Sequence, residues 1–111
     1  MMKPIKLAKV LHDSNRRLGF FALLNLGIVE MLANGAWSSA DAIRLFFNAE
    51  NCLYVRKCKD RVADKIMSHG VQLSDLFDLL PAKQAQQEFQ RELGTIRSLS
   101  LQLLNQHELV A

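Results

Sequence analysis

The run LGFFALLNLGIVEML, residues 18–32, is the most apolar stretch of the chain and decides its fold. Its polar members Asn25 and Glu30, with Asn34 just beyond, fall at about 0°, 140° and 180° around a helix, so they mark no single polar face. A helix that is apolar on all sides is either buried or spans a membrane. We therefore predict that residues 18–34 form a buried central helix. Gly19 and Gly27 within it would let another backbone approach closely.

A membrane span is the alternative for this run, and its length argues against it. Only about 12 residues, from Leu18 to Val29, precede the charge of Glu30, whereas a transmembrane helix needs about 20. No small-residue cleavage site follows the basic residues that precede it. We predict no membrane insertion and a cytoplasmic protein.

The two cysteines fit a reducing compartment. Cys52 and Cys58 would lie about 9 Å apart along a helix, beyond the roughly 7 Å that a disulfide can bridge. Their spacing is not that of a zinc site either. We expect two reduced thiols.

Composition and helix-boundary signals predict an all-α protein. With 111 residues, 50% of them hydrophobic and 23% charged, the chain should form a single domain over residues 1–111. Pro4, Gly35, the Ser38–Asp41 capping box and Pro81 mark helix ends, and Gly70 should close another helix. We expect a compact bundle of about five helices around the central one, with residues 39–57 packed antiparallel on it. The predicted helices cover residues 4–18 and 15–34 (joined or broken at Asp13–Asn15), 39–57, 59–69, 74–80 and 82–105, and the tail at 106–111 should be frayed.

No motif in the chain predicts an enzyme. His12-Asp13 could belong to a metal phosphohydrolase, but no companion motif accompanies it. Glu88 and Glu92 share a helix side without the Glu-x-x-His motif that di-metal bundles need. Phosphate-binding glycine loops, nucleophile elbows and zinc-binding helices are also lacking. We predict a non-catalytic protein with no metal and no cofactor.

The last helix offers the best candidate binding face. Its core stripe centres near Ile96, and Leu101 lies about 140° away, where a solvated helix carries polar residues. Gly94 lies on the same outer side, where glycine weakens a helix unless something packs against it. Two alternatives stay open: an incidental exposed leucine, or a face covered by the chain's own N-terminal helix. The predicted partner-binding residues are Gln90, Gly94, Arg97 and Leu101.

Positive charge is concentrated in the first part of the chain, and this keeps a nucleic-acid-binding alternative open. Residues 1–65 hold 11 Lys and Arg against 6 Asp and Glu, and residues 66–111 hold 3 against 5. A solvated face explains this equally well, because Asp60 and Asp64 run beside the cations and no aromatic residues are interleaved for base stacking. The candidate polyanion-binding residues are Lys6, Lys9, Arg16, Arg17, Lys57, Arg61 and Lys65.

The order of residues between 18 and 81 resembles short bacterial helical proteins grouped as a domain of unknown function. The likeness is carried by the segments LGIVE (26–30), NG (34–35), SADA (39–42), LF (45–46), GVQLSDL (70–76) and LLP (79–81). It implies a compact all-helical bacterial protein and brings no activity or site. We therefore expect a protein-interaction module of the accessory, adaptor or immunity type, whose partner is another protein or a second copy of itself.

Overall fold

Seven α-helices make up the part of the chain that the computed structural model describes, residues 2–11 and 16–107. The predicted all-α class is confirmed, and no strand occurs within these residues. His12, Asp13 and the predicted cap at 13–15 lie outside the described residues, as do residues 108–111 of the predicted frayed tail. The helices are α1 Leu7–Val10, α2 Arg17–Ala33, α3 Ser39–Leu45, α4 Ala49–Lys57, α5 Arg61–Val71, α6 Asp75–Leu79 and α7 Ala82–Gln106.

The longest helix, α7, holds the bundle together. It packs against α2, α5 and α6, and it matches the predicted 82–105 helix to within one residue. Its predicted core stripe is confirmed, because periodic apolar residues on one side turn inward. Those buried are Ala85, Phe89, Leu93, Ile96 and Leu103, with Leu99 partly buried against them.

The prediction of a long N-terminal helix is wrong. Residues 2–6 are not helical, and α1 is a single turn that ends before Leu11. The Ile5 N–H donates to the Leu45 carbonyl over 2.8 Å, and the Leu7 N–H donates to the Asn51 side chain over 3.0 Å. These bonds to distant residues hold the segment in a conformation that local helix signals do not predict.

The predicted helix at 39–57 is broken in two. Phe46 leaves helical geometry at φ −140° and ψ −53°, and Asn48 caps the new helix by accepting the Asn51 N–H over 3.0 Å. Successive residues of one helix point about 100° apart, and the break allows both Phe46 and Phe47 to be fully buried. The predicted packing of all of 39–57 on the central helix is also wrong: α3 contacts α2 and α5, whereas α4 packs on α1 and α5.

Gly70 has a different role from the predicted helix end. The helix predicted at 59–69 is α5, which begins after Asp60 and continues through Gly70 to Val71. The ring of Phe47 lies so close to Gly70 that a β-carbon there would overlap it. Glycine is therefore required for the close packing of two segments and not for a turn.

Side-chain caps mark several of the helix starts. The Ser38–Asp41 capping box is confirmed, with hydrogen bonds of 3.0 and 3.1 Å. The bond from the Ser38 N–H to the Asp41 carboxylate lowers the pKa of Asp41, and the Ser38 hydroxyl lowers it further. Asp60 caps α5 through the Ala63 N–H. Ser74, predicted to cap the helix at 74–80, makes no capping side-chain bond.

Burial of the apolar run on all sides is wrong for α2. The helix buries one side, including Phe21, Ile28 and Leu32. Its opposite side remains exposed at Phe20 and Leu23.

Candidate functional site

An open apolar groove runs along the exposed side of α2. It encloses about 610 Å³ between the end of α1 and the outer face of α2. Among the described residues, no charged or hydroxyl-bearing side chain lines it. The lining residues are Val10, Leu11, Phe20, Leu23, Leu24, Gly27, Ile28 and Met31.

The N-terminal segment builds one wall of the groove, and Asn51 fixes that segment in place. The Asn51 side chain accepts the Leu7 N–H over 3.0 Å and donates to the Ile5 carbonyl over 2.8 Å. Leu7 and Leu11 are buried as a result, while Val10 points outward and is 57% exposed. Val10 therefore lies outside the core, although its spacing from Leu7 would place both on one face of a helix.

The other wall is the outer face of α2. Phe20 is 43% exposed and Leu23 is 49% exposed. Gly27 lies between them and Met31 along the helix, and a β-carbon at Gly27 would meet nothing within 4 Å. The face thus combines protruding side chains with an open gap. Large apolar side chains placed contiguously on a surface are typical of interaction sites.

Charges of opposite sign stand at the two ends of α2. Arg16 and Arg17 are exposed at its N-terminal end, and Glu30 is exposed in its last turn. The helix dipole favours the reverse order, with acidic residues first and basic residues last. Both ends of α2 therefore lack the complementary charges that most helices carry.

Sequence reasoning missed this groove, although the signal was present. Phe20, Leu23, Leu24, Gly27 and Met31 repeat at helical spacing and fall in an arc about 100° wide. Apolar residues on both sides of α2 predict burial on all sides. Periodicity alone does not show which of the two sides the rest of the chain covers.

The four residues predicted to bind a partner on α7 share an exposed side of that helix. Leu101 is 46% exposed, and Gln90 and Arg97 are exposed. Gly94 has open space where a β-carbon would project. The described residues of the N-terminal segment leave Leu101 uncovered. Its role in binding stays a prediction.

The predicted polyanion-binding residues are all exposed but are spread over four helices and their flanks. Lys6 and Lys9 belong to the N-terminal segment, whereas Arg61 and Lys65 lie on α5. Arg17 lies beside Cys58, which follows Lys57 and so brings the start of α2 near the end of α4. Burial raises the pKa of the Cys58 thiol, and the Arg17 charge opposes that rise.

Histidine–carboxylate pairs connect α5 with α7, and the two cysteine thiols are partly buried. His69 on α5 pairs with Glu92 on α7 at 2.6 Å, and His107 lies 3.6 Å from Asp60. Cys52 and Cys58 are free and half-buried, and burial raises the pKa of both thiols, which lowers their reactivity. Within residues 2–11 and 16–107 no group of three His, Cys, Asp or Glu side chains could hold a metal ion.

Comparison with protein families, with curated proteins and with solved structures finds no match to this chain. Among the helices described, none has the length and apolar character to cross a membrane.

Proposed function

We propose that this protein is a non-catalytic protein–protein interaction module that binds an α-helix of its partner in the groove along α2. The observation that carries the proposal is that every described residue lining that groove is apolar, beside the exposed side chains of Val10, Phe20 and Leu23. A solvated helix normally carries polar residues at such positions.

A helix fits the shape of this site. Phe20 and Met31 mark its ends on α2, about 16 Å apart at 1.5 Å per residue, which is about three helical turns. Helix-binding grooves use apolar anchors at this spacing. Gly27 offers space for a side chain of the incoming helix near the middle of the groove.

The class of module follows from the sequence interpretation. We propose a cytoplasmic protein of the accessory, adaptor or immunity type, and the resemblance over residues 18–81 implies that it is bacterial. Such proteins act by covering or presenting a surface and need no catalytic side chains. The α7 face around Leu101 is proposed as a second, smaller binding surface.

Replacing Leu23 with glutamate tests the proposal. The change places a charge in the apolar groove, and because Leu23 is half-exposed it should leave the fold intact. We expect the L23E variant to lose partner capture from host extract, or its own association, with helicity and melting temperature unchanged. Leu79→Glu on α6 is the matched control, since Leu79 is 78% exposed and lies outside the groove. Identical capture and mass for wild type, L23E and L79E would contradict the proposal.

A further inference from the structure

We infer that the helix that fills the groove is α2 of a second copy of the chain, packed antiparallel about a two-fold axis. The inference rests on the proposed function and names its partner. It comes from the complementarity of the α2 face with itself when one copy is reversed.

The charges of α2 favour the antiparallel orientation. The midpoint between Arg17 and Glu30 falls between Leu23 and Leu24. With a two-fold axis at that midpoint, the basic end of each helix lies level with Glu30 of the other copy. A parallel pair would instead place like charges side by side, which opposes association.

The helix dipoles favour the same orientation. The first turn of α2 has no acidic residue and its last turn has no basic residue, so Arg17 and Glu30 each oppose the dipole of their own helix. In the antiparallel pair each of these charges lies next to the opposite pole of the neighbouring helix. Association would therefore correct an unfavourable charge arrangement that the monomer retains.

Shape agrees with charge at the same axis. The midpoint between Phe20 and Gly27 also falls between Leu23 and Leu24. The two-fold axis at that point therefore places each Phe20 ring opposite Gly27 of the second copy. The space at Gly27 is open, and the exposed Phe20 is a bulky side chain that could enter it. Leu23 and Leu24 would meet their own equivalents on either side of the axis.

The resulting contact is closed. In a two-fold interface the same patch serves on both copies, so both grooves are filled and no further copy can add at this face. Val10, which projects beside α2 with 57% of its surface exposed, would be covered at the edge of the incoming helix. The predicted assembly is a dimer and not a filament.

Mass in solution gives the first test. Sedimentation of the full chain at about 100 µM should give twice the 12.6 kDa chain mass. The L23E variant places two like charges at the axis and should weaken self-association at least about tenfold. Leu79→Glu should leave the dimer unchanged. A wild-type monomer at this concentration would overturn the inference.

Cysteine cross-linking tests the orientation without depending on L23E. In a background with Cys52 and Cys58 replaced by serine, Leu23→Cys lies near the axis and should form an interchain disulfide on oxidation. Met31→Cys lies on the same face but about 22 Å from its equivalent in the antiparallel pair, far beyond disulfide reach. Equal cross-linking of both variants would indicate a parallel pair and overturn the inference.

Failure here is distinguishable from failure of the proposed function. If the wild type is a monomer and L23E still loses a protein captured from host extract, the groove binds a different helix. In that case the inference fails and the interaction module survives. If L23E changes neither the mass in solution nor the capture of a protein, the dimer inference and the proposed interaction module both fail.

Discussion

Asn51 shows how one buried amide can determine the shape of a chain segment far from it in sequence. Its side chain accepts the Leu7 N–H and donates to the Ile5 and Phe46 carbonyls, at 3.0, 2.8 and 2.8 Å. The two N-terminal bonds hold the wall of the groove, and the third satisfies a carbonyl where the 39–57 helix breaks. A polar residue with only 1% exposure is stable in a core because its hydrogen bonds are complete.

Replacing Asn51 with leucine should destabilise the fold strongly. The change leaves three backbone groups without this partner, each costing about 1 kcal/mol or more when buried. We expect the free energy of unfolding to fall by about 3 kcal/mol in urea denaturation. Asn105→Leu, at an exposed position on α7, should change it by less than about 0.5 kcal/mol. Equal effects of the two substitutions would show that the Asn51 network contributes little.

At the scale of the element, each long helix has one side that the rest of the chain covers and one that it does not. On α7 the outer side is polar except around Leu101. Such a side is stable in water and needs no partner to cover it. On α2 the outer side is apolar over three turns, which no contact within the described residues explains. This difference is why we assign the main binding surface to α2.

Leu101 provides a test of the smaller face on α7. The substitution Leu101→Glu should leave the melting temperature near that of wild type because the side chain is 46% exposed, and it should reduce capture of a partner from host extract. Gln102→Glu adds the same charge at the next exposed position and should have no effect. A lower melting temperature with unchanged capture would instead show that Leu101 supports the fold.

At the scale of the whole molecule, the net charge is weakly positive, and acidic residues interrupt the basic surface. The net charge is +3, and Asp60 and Asp64 are placed among the cations of α4 and α5. A polyanion would therefore meet mixed charges instead of a continuous basic surface.

We accordingly expect no gel shift of a DNA or RNA duplex at low salt with up to about 50 µM protein, where even non-specific binders respond. The control is the charge-reversed variant Lys57→Glu/Arg61→Glu, which should give the same result. A shift that weakens steeply with added salt and is lost in that variant would favour the nucleic-acid alternative over the protein-binding one.

The sequence by itself determined the helical class, the long α7 with its core stripe, and the helix start at Ser38. These features depend on periodicity and on capping bonds between residues three or four positions apart, so a short window of sequence contains all the information. The helix ends near Gly35 and Pro81 followed from the same local chemistry.

Only the tertiary structure decided the short α1, the break at Phe46 and the open side of α2. The short α1 depends on hydrogen bonds from Ile5 and Leu7 to residues about forty positions away, which no local pattern contains. The break at Phe46 accompanies the burial of both Phe46 and Phe47 in the core. The last depends on which apolar sides the remaining chain can cover. Periodicity shows that a side is apolar, but only the packing of all seven helices shows which apolar side is left for a partner.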